Sequence, residues 1–231
     1  MAIDRLSLTM LRVMIRRAIG EPDSADSILT DAQLTDTINA YSLNISFKAT
    51  RLHQQRDPRY RGVVRFGQWR DVATITGTSG SSTIYLPIDY DQYISFYDET
   101  AATSRHPIYP IVDVNRWFSE GVREAPPGPS RRILLLNWEL NGSAWQRRAD
   151  LWPSVQTGVT PSVVMYYWRL PAALVDSAPT TNFPDADPKF HRLWVVGPVL
   201  ELMRSNDPTY ERWFQEEQAL LAQMVEADGV I

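Results

Sequence analysis

Apolar residues recur at three- and four-residue spacing near both ends of the chain, and give way in the middle to short runs of β-branched and aromatic residues. The first spacing stacks side chains on one face of a helix, whereas short alternating or continuous runs suit strands. Near the start, Ser7 is placed to cap a helix carrying Leu8, Leu11, Ile15 and Ile19, with Gly20 and Pro22 ending it. Thr30 and Gln33 make a capping box with Asp31 in the first turn. Leu34, Ile38, Tyr41, Ile45 and Leu52 then share a face until Asp57-Pro58 stops the helix. Toward the other end, Asp187-Pro188 and Asp207-Pro208 each set a capping carboxylate before a proline suited to the first helical position. They predict helices over Pro188–Arg204 and Pro208–Ala227, the first kinked at Gly197-Pro198, where an amide is missing and the proline ring clashes.

Between Trp69 and Trp168 the helical period is lost. Predicted strands are Val72–Thr76, Ser82–Leu86, Tyr93–Tyr97, Arg132–Leu140 and Ser162–Trp168. Asn141-Gly142 fits a tight hairpin turn from Leu140 into the next run. Thr76–Ser82 reads as a flexible hairpin tip and Arg123–Arg132 as a proline-rich loop, and no internal repeat is present. Neither terminal helix pair has enough apolar surface to stand alone, so the pairs are expected to pack on each other. The expected fold is α+β. Residues 1–56 and 183–231 form a helical bundle, and residues 57–182 form an inserted antiparallel β-sandwich or small β-sheet.

A chain of 231 residues buries roughly 70% of its unfolded surface, enough for a core without covalent staples. Cysteine is absent, which excludes disulfides, thiolate metal sites and a cysteine nucleophile. The 23 Lys and Arg against 27 Asp and Glu leave a formal charge of -4 with both signs scattered, so no general polyanion-binding field is implied. The first twenty residues are amphipathic where a signal peptide needs a continuous apolar run, and no stretch is long enough to span a membrane. A soluble, unexported protein is expected.

The segment FPDADPKFHRLW brings Asp185, Asp187 and His191 close together, and carboxylate with imidazole is the chemistry of metal-assisted hydrolysis. Local structure accounts for each of them more simply. Asp187 is a helix cap, Asp185 belongs to a turn, and His191 has no second histidine four residues away to make a ligand pair. His53 and His106 share no ligand spacing, and the glycine-rich TGTSGSS run lacks the lysine and following helix that phosphate binding needs. The expectation is therefore no metal, no cofactor and no catalytic residue. Arg5, Arg12, Arg16 and Arg17 make a basic helix face. Arg56–Arg70 holds five arginines interleaved with Tyr60, Phe66 and Trp69, suited to nucleic acid or an acidic neighbour. Eight Trp and ten Tyr are more than a small core hides easily, and aromatic and arginine side chains are enriched at interface centres. A carbohydrate-binding sandwich would confine its Trp to the β region, whereas Trp194 and Trp213 lie in the terminal helices.

Three segments, LTDAQLTDTINAYSLNIS, IYLPIDYDQYISFYD and VVMYYWRLPAALVDSAPTTNFPDADPKFHRLWVVGPVLELM, give the chain an order of elements that resembles the head-to-tail connector, or adaptor, proteins of tailed bacteriophages. The resemblance implies a structural virion protein of the neck, assembled in the host bacterial cytoplasm. Its copies would form a ring under the dodecameric portal, hand the DNA channel to the next tail or neck protein, and let DNA pass without specific binding. Tyr60, Arg61, Arg65 and Trp69 are then expected at contacts between subunits. The last helix carries a stripe whose distal part, Leu220, Leu221, Met224 and Val225, is expected to dock on the portal. The alternative is a carbohydrate- or receptor-binding β-sandwich module of a phage tail, with a metal-dependent hydrolase third.

Overall fold

The computed structural model describes residues 5–22, 27–101, 105–111, 117 and 128–230. Helix α1 (Leu8–Ile19) starts where Ser7 Oγ accepts the Met10 amide at 3.4 Å, and stops at Gly20, whose φ of 78° favours a residue without Cβ. Helix α2 (Asp31–Arg56) opens on the full capping box: Thr30 Oγ1 accepts the Gln33 amide at 3.2 Å, and Gln33 Oε1 accepts the Thr30 amide at 2.8 Å. The two C-terminal helices begin later than their Asp-Pro signals. Asp187 caps a single 3-10 turn (Pro188–Phe190), accepting the Lys189 amide at 3.0 Å, and helix α3 (Leu193–Leu202) follows. Asp207 accepts the Thr209 amide at 2.8 Å ahead of helix α4 (Tyr210–Asp228). Gly197 and Pro198 both lie inside α3, which is continuous across them.

Two compact units divide the chain, one formed by the residues up to Trp69 and from Pro171 onward, the other by Arg70–Leu170. In the first unit a single core draws Leu8, Leu11 and Ile15 from α1, Leu34, Ile38, Tyr41 and Ile45 from α2, Leu193, Trp194 and Val199 from α3, and Leu221 and Met224 from α4. Two short strands, β1 (Arg65–Phe66) and β9 (Gly229–Val230), pair antiparallel in the same unit.

The second unit is a curled seven-stranded sheet of β2 (Arg70–Thr76), β3 (Thr83–Tyr85), β4 (Tyr90–Asp98), β5 (His106–Ile111), β6 (Arg132–Asn141), β7 (Ala144–Trp152) and β8 (Ser162–Arg169), in the order β2-β8-β4-β5-β6-β7-β3. One face closes on a core that includes Ile75, Ile84, Phe96, Ile108, Ile133, Leu151 and Met165. The α+β class stands. Of the two expected forms, sandwich or small sheet, the unit is a single sheet curled around its own core, and it departs from the expected antiparallel pairing at one place: β5 pairs parallel with β6, while the other neighbours in the sheet are antiparallel. Strand β5, HPIYPI, has two prolines and gives no clear strand signal; its first half pairs with β4 and its second half with β6. Of the expected proline-rich loop, residues 123–127 lie outside the described residues, and Arg132 opens β6.

Hairpin β6–β7 turns at Gly142, the first central position, with φ 63°, the sense of a type II′ turn that leaves the following Ser143 on the ordinary side. Its register shifts once: Leu135 faces Ala149 but Trp138 faces Arg147, so β6 carries one extra residue. Because side chains alternate between faces, that bulge places Trp138 and Leu140, and not Asn137 and Glu139, on the face that Ile133 and Leu135 use for the core.

Gly197 packs directly against α2: a Cβ built on it would lie 1.9 Å from a Tyr41 ring carbon. Alanine inside a helix normally gains up to about 1 kcal/mol over glycine. Here Gly197→Ala is expected to lose about 1–3 kcal/mol by overpacking, with recovery when Tyr41 is shortened to Leu. Urea unfolding of the single and double variants reads the sign.

Candidate interaction surfaces

The Asp185, Asp187 and His191 segment resolves into local contacts. Trp69 Nε1 donates to the Asp185 carbonyl at 2.8 Å, and the Asp185 carboxylate accepts the Ala172 amide at 3.1 Å. Asp187 caps its turn and pairs with Lys189 Nζ at 3.2 Å; the Lys189 amide bond, first, and the ammonium hold its carboxyl below the usual range. His191 is buried. Its Nδ1 accepts the Leu6 amide at 3.1 Å, which fixes the proton on Nε2, 3.1 Å from the Ala186 carbonyl. Among the described residues, no group of three His, Cys, Asp or Glu side chains is placed to hold a metal ion.

Two arginines of the basic face of α1, Arg12 and Arg16, are used internally. Arg12 is buried; it pairs with Asp31 at 3.3 Å, donates from Nε to Thr35 Oγ1 at 3.2 Å and also pairs with Asp176. Arg16 reaches Asp31 at 2.7 Å and the Leu29 carbonyl at 3.0 Å. These guanidiniums bind α1 to α2, while Arg5 and Arg17 stay at the surface. The Arg56–Arg70 connector is also folded. Trp69 and Phe66 are buried edge to face, Tyr60 meets His53 edge to face, and the Val64 amide bonds Thr50 Oγ1 at 2.8 Å. Arg61 projects outward, touching the Pro58 carbonyl at 3.3 Å, and Arg65 is half-buried. On α4, Leu221 and Met224 are fully buried in the helical core, while Leu220 and Val225 pack against it with part of their surface exposed.

Sequence reasoning missed a cavity of about 280 Å³ in the β unit that gathers Asp98, His106 and Ser130. Its carboxylate is already engaged: Asp98 accepts the backbone amides of Thr100, at 2.8 Å, and of Ser130. Asp98 thereby anchors two loops.

Many large apolar side chains reach solvent, Ile28, Ile88 and Tyr109 among them, and on α2 and on the β6–β7 hairpin they form groups. Leu43 and Phe47, 49% and 63% exposed, sit one turn apart on the outer face of α2. Trp138, Leu140 and Trp145, 45%, 60% and 64% exposed, share one face of the β6–β7 hairpin, with Leu140 directly opposite Trp145. The first group lies on the side of α2 opposite the stripe Leu34, Ile38, Tyr41 and Ile45; the second depends on the bulge, which leaves no pattern in the sequence.

Residues 8–230 match the family described as SU10 adaptor protein, a match that runs through both units. The chain belongs to the SU10 adaptor protein family. No curated protein matches it. Membership makes the chain a bacteriophage head–tail adaptor, a structural protein of the virion neck that works in contact with other head and tail proteins. Among the described residues, no helix of this family member is long and apolar enough to cross a membrane.

Burial lowers the His191 pKa, the dominant cause, against a smaller opposing contribution from the Ala186 carbonyl. A folded-state value below the unfolded value of about 6.5 means that stability is complete above that pH and is lost as pH falls through it toward the folded value. Melting temperature measured from pH 7 to pH 5 should therefore fall more steeply in the parent than in His191→Gln, which carries no titrating ring.

Proposed function

We propose that copies of this chain form a ring, seated between portal and tail, that continues the DNA channel from the portal to the next neck or tail protein.

 The match to the adaptor family over residues 8–230 is the observation that carries this reading. Composition supports it: a chain of formal charge -4 with scattered basic residues does not grip the phosphate backbone, where each basic contact would release counterions and hold the duplex. Twelve copies would match the symmetry that the resemblance gives the portal, and assembly would take place in the host cytoplasm before the neck joins the virion.

Within that ring, Arg61 and the exposed part of Arg65 reach the neighbouring subunit, while Tyr60 and Trp69 set the course of the connector from inside. The distal part of α4 docks on the portal through the partly exposed Leu220 and Val225, with Leu221 and Met224 holding the helix on its bundle. Truncation after Ala219 would strip Leu221 and Met224 from the core, so substitution of the outer residues is the cleaner test of docking. A second reading, a carbohydrate-binding tail module, draws on one observation: Trp138 and Trp145, both well exposed, share a hairpin face.

Arg61→Glu is expected to leave the melting temperature unchanged and to abolish ring formation, read by native mass spectrometry, with duplex affinity weak and nonspecific in both proteins. Rings that form normally in this variant would remove Arg61 from the interface. Leu220→Ser with Val225→Ser should reduce co-sedimentation with purified portal rings; undiminished co-sedimentation would show that this helix is not the docking element. A parent chain that stays monomeric with and without portal would overturn the ring.

A further inference from the structure

Strand register sorts the side chains of β3, β6 and β7 between the core face of the sheet and its outer face. Thr83 lies opposite Asp150 and Tyr85 opposite Arg148, with the buried Ile84 between them pointing to the core. Glu139 lies opposite Gln146 and Asn141 opposite Ala144. These polar groups share the outer face, away from Ile133 and Leu135 and away from the exposed Trp138 and Trp145. The two edge strands of the sheet, β2 and β3, come together at the same place. Gly77 ends β2 so near to β3 that a Cβ on it would lie 3.1 Å from an Ile84 carbon and 2.6 Å from Pro161. The loop that follows is pinned, because the Gly77 amide donates to the Pro161 carbonyl at 3.0 Å and the Gly80 amide to the Val159 carbonyl at 2.8 Å. With β3 and the end of the β6–β7 hairpin it borders a pocket of about 550 Å³, within the size range of small-ligand sites.

The walls of this pocket are set before any ligand arrives. Arg148 is held between Asp150, at 3.2 Å, and Glu139, at 3.4 Å, and Asp150 also accepts the Thr83 hydroxyl at 2.9 Å. Asn141 donates to Gln146 at 2.7 Å, and Gln146 to the Leu86 carbonyl at 3.0 Å. Side chains already fixed in this way lose little further freedom on binding. Among the described residues, the hydroxyls of Thr76, Thr78 and Tyr85 make no hydrogen bond, and Asn141 keeps its Oδ1. The unused groups are thus neutral donors and acceptors. Two carboxylates against one guanidinium disfavour an anion, and a wall of hydroxyls and amides disfavours an apolar ligand.

We propose that this pocket binds a neutral saccharide, whose adjacent hydroxyls each donate and accept as the unused groups of the wall do. The proposal goes beyond the ring reading and does not depend on it.

Saturation-transfer NMR reads the sugar and not the protein, so it serves monomer and ring alike. The full chain is expected to transfer magnetisation to at least one of D-glucose, D-galactose and N-acetyl-D-glucosamine. Thr76→Val with Thr78→Val removes two free hydroxyls and keeps their shape; it should weaken that sugar by about tenfold at an unchanged melting temperature. Trp138→Ser with Trp145→Ser, on the other face, should leave the affinity as it is. Competition by the purified envelope polysaccharide of the host bacterium would make the ligand a unit of that glycan, and absence of competition would make it a free sugar; both are saccharide binding. Transfer to none of the three sugars would overturn the proposal. So would a 6-phosphate of the bound sugar that binds equally well, or an affinity that survives loss of the threonine hydroxyls. Affinity lost only in the tryptophan variant would move the sugar to the opposite face and overturn it too.

Discussion

The helical unit depends on one contact between distant parts of the chain, the Tyr41 ring of α2 seated against the bare Cα of Gly197 in α3. No side chain larger than hydrogen fits there, so the two helices approach more closely than ordinary packing allows. Around this point the seam is pegged by polar groups. Trp194 Nε1 donates to Ser42 Oγ, and Lys48 reaches Glu217 at 2.9 Å and Glu201 at 3.7 Å, tying α2 to α4 and to the end of α3. Burial drives the Tyr41 phenol well above its ordinary range, and the nearby Glu217 charge adds to it. Ionic groups so placed are costly to leave unpaired, so they define how α2 lies along its partners more than they add net stability.

The same logic separates what the molecule keeps inside from what it offers outside. Arg12 and His191 look like surface chemistry in one dimension, yet each is buried and engaged, one joining α1 to α2 and the other joining Leu6, ahead of α1, to the turn before α3. The surface also offers apolar and aromatic side chains, Phe47, Trp138 and Trp145 among them. That composition suits lasting contacts between proteins better than the reversible grip on a phosphate chain.

Local signals were the legible part of this sequence. The Ser7 cap, the Thr30–Gln33 box, the Gly20 stop and the Asp187 cap all act where the residues place them, because each needs only its immediate neighbours. Strands β2, β4, β6 and β8 likewise follow their β-branched and aromatic runs. Features set by distant partners were not legible. Strand β5 is held by β4 on one side and β6 on the other despite Pro107 and Pro110, and β7 hides its alternation behind Arg147, Arg148 and Asp150. The burial of Leu221 and Met224, and the exposure of Trp138 and Trp145, likewise depend on which surfaces the fold brings together.

The β unit has a further property in its first and last strands. Arg70 opens β2 and pairs with Trp168 near the end of β8, so the chain enters and leaves this unit on adjacent strands. During synthesis α1 and α2 emerge long before the residues that complete their core. Without the sheet, closing that core would mean joining the ends of a loop of roughly a hundred residues. Once β2 and β8 have paired, the two ends are held about 5 Å apart, the spacing of neighbouring strands. The search then resembles closure of a loop of only a few residues, a saving of about 2–3 kcal/mol at roughly 0.6 kcal/mol per halving of loop length. Folding of the sheet thus acts as an entropic clasp for the helices that precede and follow it in the chain.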